Sequence, residues 1–406
     1  MRIAIFSDNF YPELSGIAGT IATIAPALAG RGHEIICFAP RYGSKDYAKA
    51  GTRRENPGWG PRVKFMRLPS FSVPTASGQG RAVLPTGKGF RILRHLRPDI
   101  IHVHQPYGAG LEGLLAAKLL KVPLVGTEHT PIREFALRYG FLRTEWWARL
   151  NTRYDAWFYN HCDFVSSPTK YIFADWDGFD QSVPHAAVPN PIDTGRFRPA
   201  RQQPEPQAAA GGLNSRRSSG QFNLLYAGRL AKEKNISLML QATAKLQEII
   251  PEIRTVIIGS GPSEKNLREL AASLQIADRT DFLGFLPEPK LPQAYRQGNV
   301  FVIMSAAETQ SIVAMQALLT EIPVVAASAW GLKEYVPPAV GIQVPLDNLP
   351  SLIRAIRKLY RAPALRLKMG RAGRKMVLNF SIPKIARLWE RLYRETISYH
   401  RKNHAH

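Results

Sequence analysis

The sequence predicts an α/β protein made of two doubly wound halves, and three observations carry that reading. Its 406 residues are too many for one ordinary core and suit two domains of roughly 200 residues each. Short apolar strands alternate with helical stretches along the chain, the pattern of a parallel sheet covered on both faces. The alternation breaks once, across residues 200–221, where Gln203-Pro204-Glu205-Pro206 and Ser215-Arg216-Arg217-Ser218-Ser219-Gly220 belong to a polar stretch rich in Gly, Pro, Ser and Ala. That stretch reads as a linker or an insertion. It leaves an N-terminal domain over 1–199, a C-terminal domain over 222–380 and a basic helix over 381–406.

Taken in order, Arg2–Ser7 is an apolar strand, followed by a loop with Pro12, Gly16 and Gly19, a helix over about Thr20–Arg31, a stop at Gly32-His33 and a second strand over Glu34–Ala39. This is a βαβ unit. Further strands of the first half are Ile100–Val103, Leu124–Thr127, Phe164–Ser166 and Ala186–Val188. The second half repeats the pattern, with strands Asn223–Ala227, Thr255–Ile258, Thr280–Leu283, Val300–Met304 and Val324–Ala326, and helices that include Ile236–Glu248 and Glu264–Leu274. Residues 349–401 read as helical and strongly basic.

Composition excludes several classes. No apolar run approaches the ~20 residues that span a bilayer, and Arg2–Ser7 reads as a buried strand rather than the core of a leader. Cys37 and Cys162 are the only cysteines; two distant thiols form no metal or disulfide framework and fit a reducing cytoplasm. The net charge is +23 and it is localised: residues 51–100 hold 10 Lys/Arg against 2 Asp/Glu, and residues 351–406 hold 15 against 2. A localised basic surface implies an anionic partner, unless these are only solvated helix faces. Nucleic acid is not the expected partner, because no helix-turn-helix, zinc-ligand or RNA-stacking signature is present.

Four segments could carry chemistry, and each lies just past a strand. Gly228-Arg229-Leu230-Ala231-Lys232-Glu233-Lys234 puts a planar fork, Arg229, and a point charge, Lys234, where a diphosphate could sit, or else it is an ordinary helix start with solvated charges. Gly259-Ser260-Gly261-Pro262 is a tight turn or an anion loop at a helix N-terminus. In Ser305-Ala306-Ala307-Glu308-Thr309-Gln310-Ser311, Glu308 could accept bonds from sugar hydroxyls while the amides of Ser311 and Ile312 face phosphate oxygens, or the segment is a simple cap. In the first half, Thr127-Glu128-His129-Thr130-Pro131 puts His129 at a strand mouth, where it touches substrate or caps the loop.

These pieces, in this order and over nearly the whole chain, resemble the family-4 retaining glycosyltransferases. Tyr11-Pro12-Glu13-Leu14-Ser15-Gly16 and Gly32-His33-Glu34 are similar to that family's first loop and helix, and Gly228-Arg229-Leu230 with Glu233-Lys234 to its phosphate motif. Gly259-Ser260-Gly261-Pro262 and Asp281-Phe282-Leu283-Gly284-Phe285 fall at its nucleotide pocket. Val188-Pro189-Asn190-Pro191-Ile192-Asp193 matches its interdomain segment, with Pro191 where Gly is usual. The resemblance implies the GT-B architecture: two Rossmann-like doubly wound domains facing a cleft, with C-terminal helices packing back toward the first domain. It implies that Gly16 contacts donor phosphate, that Arg229 and Lys234 hold the diphosphate, that Glu308 binds the transferred sugar and that His129 lies beside the anomeric carbon. Gly259, Gly261, Leu283, Gln310, Ser311, Ile312 and Gln316 would complete the donor site. A nucleotide diphosphate sugar would be the co-substrate, with no metal. The chain departs from the family pattern at Gln316, which replaces the second Glu of the Glu-x₇-Glu pair, at Ser311, where Gly is common, and at Trp330, where a small residue is usual.

Glu308-Thr309-Gln310 resembles the glycolipid-forming branch, including diacylglycerol glucosyltransferases. This implies UDP-glucose as donor, a lipid acceptor and a peripheral place on the inner face of the cell membrane. The basic segments point the same way. Lys88, Arg91, Arg94 and Arg97 fall on one side of a helical stretch whose other side carries Phe90, Leu93 and Leu96, a pattern suited to an anionic leaflet. Trp146 and Trp147 stand among Arg138, Arg143, Arg149 and Arg153, as at an interface, or else they pack in the core. The alternatives are a transferase extending a soluble or polymer-linked glycan, and a non-catalytic nucleotide-sugar-binding protein.

Overall fold

Runs of apolar and β-branched residues bounded by Gly, Pro and polar turns fold into strands buried on both faces, which is why their sequences are continuously apolar rather than alternating. The computed structural model describes residues 1–13, 15–52, 58–73, 80–139, 142–199 and 220–403. The 200–221 stretch lies almost wholly outside them. The chain forms two units, one of Met1–Pro191 with Ile382–His406 and one of Ile192–Ser381.

The first unit is built on strands β1 (Arg2–Ser7), β2 (Glu34–Pro40), β3 (Val63–Leu68), β6 (Ile100–His104), β7 (Leu124–Thr127), β8 (Phe164–Ser167) and β9 (His185–Ala187), with β4 (Ser70–Ser72) and β5 (Arg81–Val83) as a separate antiparallel pair. The main sheet is parallel, in the order β3-β2-β1-β6-β7-β8-β9. Its helices are α1 (Gly16–Gly30), α2 (Ser44–Lys49), α3 (Lys88–Leu96), α4 (Gly108–Leu120), α5 (Ile132–Tyr139), α6 (Glu145–Tyr159) and, from the chain's far end, α14 (Ile382–Asn403). The second unit has β10 (Phe222–Ala227), β11 (Ile253–Ile258), β12 (Thr280–Gly284), β13 (Val300–Ile303), β14 (Val324–Ala327) and β15 (Gly341–Val344), in the parallel order β12-β11-β10-β13-β14-β15. Around it lie α7 (Ile236–Leu246), α8 (Glu264–Ser273), α9 (Leu291–Tyr295), α10 (Ile312–Leu319), α11 (Trp330–Tyr335), α12 (Leu349–Arg361) and α13 (Pro363–Val377).

Both sheets are therefore doubly wound Rossmann-like layers, as the alternation predicts. In each, the chain runs outward from the first strand and then resumes on its other side. The switch points lie between β1 and β6 and between β10 and β13, where ligands of open α/β sheets bind at the carboxyl ends of the strands.

Several boundaries differ from the sequence reading. Helix α1 starts at Gly16 rather than Thr20, because Ser15 caps it, its hydroxyl accepting from the Ala18 amide at 3.2 Å. The units divide at Pro191/Ile192 and not at 199. Ile192 donates its amide to the Phe380 carbonyl at 2.8 Å, and the Phe197 ring packs edge-on against Tyr295, so both belong to the second core. Of the C-terminal helices, α14 packs against the first unit, where Ile385, Ala386, Trp389 and Tyr393 join the core beside α1. By contrast, α12 and α13 seal the second through Leu352, Ile356, Leu359 and Val377. Strands β3 and β15 escape the sequence reading because both are edge strands whose apolar run is broken, β3 by Lys64 and Arg67 and the four-residue β15 by Gln343.

Candidate active site

In the second unit, the fully buried β10 delivers Gly228 and Arg229 to the switch point. Gly228 has φ +139°, a conformation that L side chains rarely adopt. Arg229 Nη2 pairs with Glu233, whereas its Nη1 is buried with no hydrogen-bond partner among the described residues. On the neighbouring strand end, Ser305 is fully buried and its hydroxyl is likewise unpartnered. Lys234 crosses the switch point, its Nζ donating to Glu308 Oε1 at 2.6 Å. Buried Tyr226 lies among these groups: burial first, and then the Glu308 and Glu233 carboxylates, push its phenol well above the usual range. Buried orphan donors beside a lysine and an arginine form a set whose unmet demand is for anionic oxygen.

The two glycine loops that look separate in sequence form one layer. Gly228 donates its amide to the Ile258 carbonyl and Leu230 to the Ser260 carbonyl, each at 3.0 Å. Gly259 has φ +125°, and a Cβ there would lie 1.9 Å from the Gly228 carbonyl oxygen; one at Gly261 would lie 2.4 Å from that of Leu230. These glycines let the β11 loop press against the loop that carries Arg229. Leu283 is the penultimate residue of β12 next door, and the Gly259 amide donates to the Gly284 carbonyl at 2.8 Å.

The Glu308 loop is held in the same way. Gly331 donates its amide to the Glu308 carbonyl at 2.8 Å, and a Cβ at Gly331 would meet the Thr309 carbonyl at 1.7 Å. Trp330 reaches this contact with φ +41°, a strained value for a bulky residue at a place where function concentrates strain. Ser311 does not need glycine's freedom: it N-caps α10, its hydroxyl accepting from the Ala314 amide at 3.4 Å, and the first-turn amides beyond it, such as that of Ile312, have no intrahelical acceptor. Gln310 is buried. Gln316 accepts from the Tyr295 hydroxyl at 3.0 Å, so its amide is fixed in place.

Gly16 and His129 belong to the first unit. Gly16 is the first residue of α1, with open space where a Cβ would project. His129 follows β7. Its Nε2 meets His104 Nδ1 at 2.9 Å, and its amide and that of Thr130 both donate to Glu128 Oε1 at 2.8 Å. Glu128 also accepts from the Tyr159 hydroxyl at 2.9 Å; burial pushes its carboxyl up to about 7. Asp8, at the end of β1, accepts from the Ala109 amide at the start of α4, and burial raises its carboxyl to about 6. Burial pushes His129 down to about 4, so its ring is neutral near pH 7.

The basic segments divide. Helix α3 forms as predicted, but its apolar face is used by the protein: Leu93 is buried, and Phe90 and Leu96 are half-buried. That face is therefore at least partly occupied by the protein itself. Arg91, Arg94 and Arg97 remain exposed, whereas Lys88 turns inward and donates to the Arg67 carbonyl at 2.8 Å. Helix α6 is the reverse. Trp146 is 68% exposed and Leu150, Arg153 and Trp157 are exposed on the same stripe, while Trp147 is half-buried.

Residues 14–196 match Glycosyltransferase Family 4 and residues 214–376 match Glycosyl transferases group 1. The chain is a family-4 glycosyltransferase of the GT-B type. It is 28% identical to alpha-monoglucosyldiacylglycerol synthase of Acholeplasma laidlawii over 80% of each chain. It is 27% identical to a GDP-mannose-dependent alpha-mannosyltransferase of Mycobacterium tuberculosis over 92% of this chain and 93% of that one. Among solved structures, Anabaena HepE in complex with UDP has the same fold, with a TM-score of 0.75 at 16% identity over 97% of this chain and 100% of that one.

In this glycosyltransferase the sequence reading missed His104, Asp8 and Gly331. A His-x-His alternation at His102-Val103-His104, which puts both rings on one face of a strand, was the available signal for His104. Asp8 and Gly331 carry none, since their roles are set by contacts to Ala109 and Thr309, which are far away in sequence.

Proposed function

We propose that this glycosyltransferase moves glucose from UDP-glucose to a membrane lipid such as diacylglycerol, with retention of configuration and without a metal, at the anionic inner face of the cell membrane. The observation that carries the donor half is the switch point of the second unit. There Arg229 presents a buried nitrogen without a partner among the described residues, and Lys234 and Glu308 are paired across the two strand ends. In this reading Arg229 and Lys234 hold the diphosphate and neutralise the charge that develops as it leaves, and Glu308 accepts from the sugar's hydroxyls. Gln316 hydrogen-bonds the ribose. The acceptor hydroxyl attacks the anomeric carbon from the leaving-group side, the bond to the diphosphate breaks, and the departing phosphate oxygen takes the hydroxyl proton.

The lipid half is supported by the likeness to the Acholeplasma laidlawii synthase and by the exposed Trp146, Leu150, Arg153 and Trp157 stripe of α6. Aromatic rings and cations of this kind sit at a bilayer interface. The exposed arginines of α3 add charge, at about 1 kcal/mol each near an anionic surface. Among the described residues no helix is long and apolar enough to cross a membrane.

The deciding experiment is turnover of labelled UDP-glucose and GDP-mannose by the purified protein, with and without anionic vesicles containing diacylglycerol, and with and without EDTA. Glucose transfer to lipid, dependent on vesicles and insensitive to EDTA, supports the reading. Transfer from GDP-mannose alone overturns the donor, transfer only to soluble glycans overturns the acceptor, and nucleotide binding without transfer or hydrolysis points to a non-catalytic binding protein.

A further inference from the structure

A column of rings lies beneath the mouth of the first sheet. His102 and His104 alternate along β6, and their ring centroids are 4.2 Å apart. Trp389 of α14 lies 4.7 Å from His102 at one end, and His129 lies 5.2 Å from His104 at the other, its plane only 16° from that of His104. His102 is fixed at both nitrogens: Nδ1 meets the Tyr393 hydroxyl at 2.7 Å and Nε2 meets that of Thr127 at 2.6 Å. Thr127 in turn shares a hydrogen bond with Ser166 at 2.6 Å. His104 differs. Its Nδ1 meets His129 Nε2 at 2.9 Å, but its own Nε2 is buried with no partner among the described residues. A histidine kept for packing has both nitrogens satisfied, as His102 does. His104 carries an unsatisfied buried nitrogen, a cost that packing alone leaves unexplained.

We propose that His104 is a positioning residue for His129, fixing its ring plane and deciding which of its nitrogens carries the proton. This rests on the reading that His129 lies beside the transferred sugar. An imidazole at a loop mouth can flip about its ring axis and exchange tautomers. A fixed partner at Nε2 removes both freedoms and commits Nδ1 to a single role. The partner is itself held in place, because the ring column runs down to α14 and His102 is tied to β7 through Thr127 and to α14 through Tyr393. Burial holds both rings uncharged, His104 well below the ordinary histidine range and His129 at about 4, so the contact is a neutral N–H···N bond rather than a clash of two cations.

Three substitutions test this, because an asparagine amide overlays the Nδ1 position of histidine, a glutamine amide overlays Nε2, and phenylalanine keeps the ring alone. His104→Asn should keep kcat within about threefold. His104→Gln and His104→Phe should each lower kcat by about 10–100-fold, the scale known for removing the group that orients a functional histidine at a metal site. Nucleotide diphosphate affinity should stay unchanged, since in this reading Arg229 and Lys234, and not His104, hold the diphosphate. Equal losses in all three variants, or full activity in His104→Phe, overturns the proposal. His104→Asn and His104→Gln are close in size, so their comparison decides even where His104→Phe does not fold. His129→Ala separates the two readings. If it retains turnover, the role given to His129 fails; if it is inactive while His104→Gln is fully active, only the role given to His104 fails.

Discussion

Glu308→Gln should tighten nucleotide diphosphate binding while it abolishes sugar transfer. In the unliganded protein Lys234 Nζ lies 2.6 Å from Glu308 Oε1, and the two side chains are 20% and 13% exposed. At an effective dielectric constant of about 20 the gross attraction is about 6 kcal/mol. Most of it repays desolvation, and a hydrogen bond to a charged group contributes about 1.5–3 kcal/mol net. An arriving diphosphate must draw Lys234 away from this carboxylate and so loses part of that energy. Glutamine still offers Lys234 a carbonyl oxygen but no charge. Recovering half of the net value makes binding of UDP or GDP tighter by about 1 kcal/mol, roughly five- to tenfold, in calorimetry. Transfer needs the carboxylate to accept from sugar hydroxyls as charge builds at the anomeric carbon, so kcat should fall about 100-fold or more. Weaker nucleotide binding in Glu308→Gln would refute the reasoning, because it would place Glu308 on the phosphate side of the site.

Two further outcomes follow from the geometry. Gly259→Ala forces a Cβ to within 1.9 Å of the Gly228 carbonyl at φ +125° and should cost about 3 kcal/mol or more. It should lower the thermal midpoint of the second unit by roughly 6–12 °C and displace Arg229, and a variant with unchanged melting and unchanged nucleotide affinity would contradict the interlocked-loop account. Buried His102 is held down to about 3 from an ordinary 6.5, so its contribution to stability is full above pH 6.5 and is lost as pH falls toward 3. That amounts to about 2–3 kcal/mol between pH 6.5 and 4.5 at 1.36 kcal/mol per unit. Glu128, raised to about 7, acts with the opposite sign: its contribution is full below 4.5 and is lost as pH rises through 7. Urea unfolding from pH 3 to 7 should therefore show a shallower acid limb in His102→Gln than in the native protein, and identical limbs would disprove the assignment.

Local signals alone determined much of this protein. Strand and helix types, the two doubly wound halves and the strand-end positions of Arg229, Lys234, Glu308 and His129 are legible because a buried parallel strand demands a continuous apolar run. Ligand-facing residues then follow each run at once. The pairing of Lys234 with Glu308, 74 positions apart, is not legible, nor is the reason for Gly259 and Gly331, since each exists to let two distant loops approach. The apolar face of α3 could be read from its periodicity, but whether that face met lipid or protein depended on what packs against it. Likewise the charge and periodicity of the last 25 residues show a basic helix and do not reveal that it returns to the first unit. Tyr393 finding His102, 291 positions away, decides that, because leaving a buried histidine nitrogen without a partner is costly, and the partner that relieves the cost can lie anywhere in the chain.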